Sequence, residues 1–237
     1  MRPIGFSSGA LAYADFRRGV GMLLGKDIHC LELSALRENE LDPLLDAVDE
    51  LDLAQFRYIA IHAPSGFNPE REEAIVDRLA EIAFRRKWPV ILHPDAVHDA
   101  ALWQRLGQFL CIENMDKRKA IGRTAEELAQ VFAQYPDAGL CFDIGHARQV
   151  DATMTEAYLI LTTYRDRLRQ VHLSEVNTRS KHDPLSVASI LAFRDVAELI
   201  PTEIPIILET PVAEEQLMEE ISKAVDALPV RELAAAS

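Results

Sequence analysis

The chain has 237 residues, of which 49% are hydrophobic and 27% charged, and its formal net charge is -13. That length and balance suit one globular unit able to bury a sizeable core. The acidic excess repels phosphate backbones at long range, so non-specific nucleic-acid binding is not expected.

Three cysteines, Cys30, Cys111 and Cys141, sit inside separate apolar runs. An odd number without close spacing argues against a disulfide framework, and the expectation is three buried small hydrophobes. No stretch approaches the roughly 20 apolar residues of a membrane span, and the opening MRPIGFSSGALAYADF lacks a signal-type apolar segment. A cytoplasmic location is expected, with no membrane partner.

In chain order, short apolar runs recur at PIGFS from Pro3, IHCLEL from Ile28, YIAIHAP from Tyr58, PVILHP from Pro89, FLCIEN from Phe109, GLCFDIGH from Gly139, QVHLSE from Gln170 and IPIILET from Ile204. They lie about 20–35 residues apart, the length of a βα unit. They lack polar alternation, as strands covered on both faces should. Between them run amphipathic stretches with apolar residues at i, i+3, i+4 and i+7: Glu38–Leu51, Pro69–Lys87, Thr124–Tyr135, Thr153–Leu168 and Val212–Leu228. Thr124 with Glu127, and Thr153 with Glu156, have the spacing of capping boxes, and Pro69 after Asn68 suits a helix first turn. Eight such units predict a (β/α)8 TIM barrel, read as one domain over residues 1–237. No Gly-x-Gly-x-x-Gly follows the first strand, which weighs against a dinucleotide fold. The tail from Arg231 to Ser237 reads as a frayed end.

In such barrels the active site lies at the C-terminal ends of the strands. Six consecutive strands place a metal-capable side chain there: His62, His93, Glu113, Asp143 with His146, His172 with His182 in the following loop, and Glu209. A single His or Glu at a strand end is more often a satisfied hydrogen-bonding group than a ligand. Convergence of six such positions argues for divalent metal, because carboxylates crowded together repel unless cations lie between them. His29, near the start of its strand, and His98, in the helix-like PDAVHDAALW, fall outside the pattern. Glu32 is ambiguous between supporting a ligand and pairing with a basic side chain.

At IHAP, LHPD, IENM, FDIGHA, VHLSE and ILET the chain resembles the xylose isomerase-like barrels, which include the endonuclease IV enzymes and many sugar isomerases and epimerases. The most specific match is CFDIGHA, similar to the family's Asp-x-x-His after the sixth strand. In the isomerase branch the resemblance implies one ion held by Glu113, Asp143, His172 and Glu209, with Glu113 and Glu209 moving protons between neighbouring carbons. In the endonuclease IV branch it implies a second ion on His62 and His93, bridged by Glu113, and a third on His146 and His182. That third site carries an Asp two residues before the last His, and here the position is Ser180, with Asp183 the neighbouring carboxylate able to substitute.

His62 and His93 tip the reading toward a centre of two or three ions of Zn, Mn or Fe, and hence toward a hydrolase without a protein nucleophile. The alternatives are a metal-dependent sugar or sugar phosphate isomerase or epimerase, a multinuclear iron oxygenase, and a catalytically inert metal-binding barrel. Glu113, Glu209 and His146 are the candidate catalytic residues. The loops after strands five to seven supply Lys117, Arg118, Lys119, Arg123, Arg148, Arg179 and Lys181, an anion-attracting set on the same face. Glu175 resembles a Glu common in the sugar-active branch. Together Lys117, Arg118, Arg148, Glu175, Arg179 and Lys181 are the candidate contacts of a small phosphorylated or carboxylated substrate. DNA is not expected, because the endonuclease branch grips its duplex with long insertions that this chain lacks. PLSVASILAF replaces the Gly-rich stretch of many isomerases.

Overall fold

The computed structural model describes residues 2–230, so the expected frayed tail lies outside the described residues. Eight parallel strands close into a barrel: β1 (Ile4–Ser7), β2 (Cys30–Ser34), β3 (Tyr58–His62), β4 (Val90–Leu92), β5 (Leu110–Glu113), β6 (Gly139–Asp143), β7 (Leu168–Leu173) and β10 (Ile206–Leu208). The ring order is β1-β10-β7-β6-β5-β4-β3-β2. Between β7 and β10, β8 (Glu175–Val176) and β9 (His182–Asp183) pair antiparallel as a small hairpin. The expected TIM barrel is therefore the fold.

Among the described residues the α-helices are α1 (Ser8–Ala12), α2 (Phe16–Leu23), α3 (Glu38–Ala47), α4 (Glu72–Arg86), α5 (Ala100–Gln104), α6 (Ala125–Gln134), α7 (Ile144–Val150), α8 (Thr155–Thr163), α9 (Val187–Arg194) and α10 (Leu217–Ala227). Five of them, α3, α4, α6, α8 and α10, coincide with the amphipathic stretches. The short α1, α5 and α7 escape periodicity because fewer than about two turns give no repeating stripe. The main core lies between the strands and the helix ring and includes Phe6, Leu31, Leu79, Trp103, Phe142 and Phe193, all buried. Each such side chain contributes roughly 1.5–3 kcal/mol on leaving water. Cys30, Cys111 and Cys141 are buried free thiols, as expected.

Closure needs tight contact beside β1. A Cβ added at Gly5 would stand 1.8 Å from the carbonyl oxygen of Cys30 on β2, so no side chain fits there. Below, Arg2 is buried and donates to the carbonyls of Leu228, Pro201, Ala197 and Ile200, joining the start of the chain to its last helices.

Two expected capping boxes differ. The Thr124 hydroxyl does accept the Glu127 N–H at 3.2 Å, but Glu127 reaches back to the Arg123 N–H at 2.8 Å and pairs with the Arg123 guanidinium. Thr153 caps nothing in the expected way. α8 starts at Thr155 after Met154 in a left-handed conformation, and Asp151 takes the Thr153 and Glu156 amides instead. Its anionic oxygens outcompete a threonine hydroxyl for those donors. Glu156 accepts from Ala125 N–H at 2.5 Å, tying α8 to α6. His98 lies between a 3-10 turn at Pro94–Ala96 and α5, not in one helix.

Among the described residues, no helix is long and apolar enough to cross a membrane.

Candidate metal centre

All parallel strands point their C-terminal ends at one mouth, so side chains distant in sequence meet there. Glu113, the last residue of β5, is the hub. Its Oε2 lies 3.1 Å from Nε2 of His62, 3.3 Å from Nε2 of His93 and 3.3 Å from Nδ1 of His172. Its Oε1 lies 3.2 Å from Nδ1 of His146. Four imidazoles, from β3, the residue after β4, the first turn of α7 and β7, thus surround one buried carboxylate. Glu113, Asp143, His172 and Glu209 bring one donor atom each within 4.8 Å of one another, and His62, Glu113 and His172 do the same.

Backbone contacts aim the donors. The His62 ring Nδ1 lies 2.7 Å from the Ala63 carbonyl and donates to it, which turns Nε2 inward. Asp143 ends β6 and starts α7. Its Oδ1 accepts the His146 N–H at 2.6 Å, and its Oδ2 is buried with no hydrogen-bond partner. Asn114 braces that turn, accepting the Asp143 N–H and donating to the Asp143 carbonyl, each at 2.8 Å. The sequence reading missed Asn114, although IENM places it directly after the hub. Gly145 is required by the same turn, since a Cβ there would meet the Ser174 carbonyl at 2.6 Å.

The electrostatics are those of a crowded, dry cluster. Burial works to raise Glu113, but the neighbouring imidazoles overcome it and hold the carboxyl well below its usual range. Burial raises Asp143 to about 6, with the charges of Glu113 and Glu209 adding to it. Burial opposes protonation of His62 and His146, yet nearby carboxylates raise them to about 9 and about 10. His93, where burial dominates, is lowered.

The donor set fits divalent cations. Asp143 Oδ2 and His172 Nδ1 are buried within the cluster and have no hydrogen-bond partner. Buried polar atoms are rarely left unpaired without an ion, a water or a functional reason. Mixed imidazole and carboxylate donors suit Zn, Mn or Fe. The residues that would hold an ion are Asp143, His172 and Glu209 with Glu113 on one side, and His62 with Glu113 on the other, where His93 adjoins through Glu113 Oε2 at 3.3 Å.

Among the described residues, none of the convergent three-donor groups includes His93, His146 or His182, although His93 lies 3.3 Å from Glu113 Oε2 and His146 3.2 Å from Glu113 Oε1. His146 turns Nδ1 to the Asn114 carbonyl at 3.0 Å, and His182 Nδ1 lies 2.7 Å from the Ser174 hydroxyl. Ser180, at the position of the expected Asp, and Asp183, the proposed substitute, both have other partners. The Ser180 hydroxyl donates to Asp116 at 2.7 Å, and Asp183 accepts from Asn177 at 2.8 Å. His182 still faces the cavity, 3.6 Å from Glu209 Oε2.

Above the cluster opens a cavity of about 470 Å³. Of the candidate substrate contacts, Arg118 and Lys181 line it, together with Lys119. Lys117, Arg148, Glu175 and Arg179 do not line it. Arg148 pairs with Glu175 at 3.5 Å, and Glu175 also accepts the Ser186 N–H, so both serve the hairpin rather than the mouth. Arg179 is exposed on the hairpin turn, and Arg123 is engaged by Glu127. Asp116, missed in the sequence, is buried at the cavity wall and binds both Ser180 and Arg118. Its position one residue after Met115 in a charged loop gave no periodic signal. His29 and His98 lie away from the cluster, His29 against Asp27 and His98 against Phe67.

A family model described as xylose isomerase-like TIM barrel matches residues 32–228. A search of curated proteins found no match. Among solved structures, a xylose isomerase domain protein from Alicyclobacillus acidocaldarius superposes with a TM-score of 0.60 at 12% identity, over 94% of this chain and 99% of that one. A xylose isomerase-like TIM barrel protein from Mycobacterium smegmatis, in complex with magnesium, gives 0.56 at 16% identity over 96% and 98%. The 3-keto-D-glucoside 4-epimerase of E. coli gives 0.50 at 12% identity over 96% and 99%. At these identities the likeness is one of fold.

Proposed function

The chain belongs to the xylose isomerase-like TIM barrel family, and from that footing we propose that it is a dinuclear, divalent-metal-dependent hydrolase of small phosphate esters. One observation carries the reading: Glu113 Oε2 is shared by His62, His93 and His172 at 3.1–3.3 Å. A single-ion isomerase site is complete with Glu113, Asp143, His172 and Glu209, and has no use for His62 and His93. A carboxylate that bridges two ions does. The ions, Zn, Mn or Fe, would supply Lewis acidity to the phosphoryl group and activate water for attack on phosphorus.

The chain's own groups divide the remaining work. Both oxygens of Glu113 are engaged by imidazoles, which suits a bridging ligand and leaves neither oxygen to shuttle protons. Glu209 keeps partial access to the cavity, with its side chain 13% exposed, and is placed to accept or return a proton at Oε2. Arg118 and Lys181 at the rim would bind the ester's anionic group, and Lys119, already paired with Asp95 at 2.7 Å, would add charge without moving. His146 and His182 bound the substrate's space rather than a third ion.

A sugar or sugar phosphate isomerase or epimerase is the second reading. Its support is the four-donor group of Glu113, Asp143, His172 and Glu209, complete in itself, and the fold shared with the E. coli 3-keto-D-glucoside 4-epimerase. Two measurements separate the readings. Metal content after dialysis near two ions per chain, with turnover of generic phosphomonoesters or phosphodiesters, supports the hydrolase. One ion per chain, with exchange of solvent deuterium into sugars or sugar phosphates and no ester cleavage, replaces it with the isomerase.

A further inference from the structure

Beneath the donor cluster, the barrel interior holds a polar layer that ligation alone does not require. Glu32 of β2 is fully buried. Among the described residues its hydrogen-bond partners are an imidazole, an amide and a hydroxyl. Its Oε2 accepts from Nε2 of His172 at 2.8 Å and from the Gln170 amide at 2.7 Å, and its Oε1 accepts from the Ser34 hydroxyl at 3.3 Å. The Tyr58 hydroxyl donates to Gln170 Oε1 at 2.7 Å, which orients the carboxamide with its nitrogen toward Glu32. Ala60, Cys111 and Cys141, all fully buried small residues, leave the interior room for this chain of side chains.

A carboxylate taken out of water costs several kcal/mol unless compensated. The compensation here is directional. His172 Nε2 lies 2.8 Å from both the Gln170 amide nitrogen and Glu32 Oε2, and because a carboxylate oxygen only accepts, the charged partner assigns the proton to Nε2 against the Gln170 contact. A neutral imidazole carries one proton. With that proton held at Nε2 by a charged acceptor, the lone pair is confined to Nδ1. His172 Nδ1 is buried without a hydrogen-bond partner, 3.3 Å from Glu113 Oε2 and 3.4 Å from Glu209 Oε2.

We propose that Glu32 is the positioning residue that fixes His172 as an Nδ1 metal donor, with Gln170 and Tyr58 as the clamp that holds Glu32 in place. The inference rests on the metal-dependent reading above. A carboxylate behind a ligating imidazole fixes the ring's orientation and strengthens its donor nitrogen. The rival role is direct ligation, because Glu32, His62 and Glu209 also bring donor atoms within 4.8 Å of one another.

The test uses the full chain loaded with zinc. Nitrogen-15 spectra of labelled histidine rings report which ring nitrogen of His172 carries the proton, and competitive titration with a chromophoric chelator reports each ion's affinity. In the wild type, His172 should carry its proton at Nε2. Glu32→Gln, which keeps an acceptor oxygen, should retain that tautomer. Glu32→Leu should lose it, and should weaken one of the two ions about 10- to 100-fold while the ion on His62 and His93 stays bound. Tyr58→Phe, which frees the Gln170 carboxamide, should move the same signals in the same direction by less, and stands in if Glu32→Leu does not fold. Unchanged tautomer and affinity in Glu32→Leu, or in Tyr58→Phe in its place, overturns the inference alone. Loss of an ion in Glu32→Gln with the His172 tautomer intact overturns it in favour of direct ligation. A wild-type chain that takes up no zinc overturns the metal-dependent reading and this inference together.

Discussion

One oxygen of Asp143 accepts the backbone N–H of His146 at 2.6 Å, while the other is buried without a hydrogen-bond partner. A single side chain therefore starts α7 and offers a donor to the centre. Asp143→Asn separates the two roles. The carboxamide oxygen keeps the cap, and the neutral group suits a site where burial already raises the acid to about 6. The metal-free variant should melt within about 3 °C of the wild type, a change of no more than about 1 kcal/mol for a chain of this size. Its affinity for one ion should fall at least about 10-fold, because an anionic ligand is gone. Calorimetric melting with and without zinc checks both. A large loss of metal-free stability would make Asp143 structural instead.

Dissecting the hub should show an asymmetric loss of ions. His62→Ala or His93→Ala should leave about one ion per chain, and His172→Ala should also leave about one, but the other. Glu113→Gln should weaken both, since the carboxylate serves both sides. Metal analysis after exhaustive dialysis provides the count. Glu113→Gln losing only one ion would remove the bridging role.

Metal-free stability should fall as pH rises, and bound metal should reverse the trend. Carboxylates raise His62 from 6.5 to about 9 and His146 from 6.5 to about 10, against the effect of burial. A folded pKa above the unfolded value means stabilisation present below about 6.5 and lost as pH climbs through about 9 and about 10. Asp143, raised from 3.8 to about 6, acts with the same sign earlier in the range. An ion that binds His62 Nε2 displaces its proton, so affinity should grow with pH across this window. Melting curves from pH 6 to 10 with chelator and with zinc, and binding heats in buffers of different ionisation enthalpy, test this. A flat metal-free profile with buffer-independent heats would contradict it.

Rim charges should sort by whether they line the cavity. Arg118→Ala and Lys181→Ala should each weaken binding of an anionic substrate or phosphate analogue by about 10-fold, equivalent to about 1.4 kcal/mol for a charge-assisted contact. Arg179→Ala, exposed on the hairpin turn, should change it by less than about twofold. Inhibition constants for phosphate or vanadate provide the comparison, and equal effects at all three positions would point to a general field instead of a built anion site.

Sequence alone determined the barrel and its ring of donors. Eight apolar runs without alternation demand strands covered on both faces, and closure of such strands aims residues such as His62, Glu113 and Glu209 at one mouth whatever lies between them. Asp143 was legible as the end of its strand with His146 three residues on, and CFDIGHA resembles the family's Asp-x-x-His; that a helix starts at once there is shown by the fold. Sequence could not say how those groups share their contacts. That Glu113 Oε2 serves three imidazoles, that Ser180 binds Asp116 rather than leaving a third donor position open, and that Glu32 reaches His172 across the barrel depend on side-chain distances between residues up to 140 positions apart. Local pattern encodes which face a residue occupies. Which partner it meets there is set by strand register and loop path, and only the folded chain fixes those.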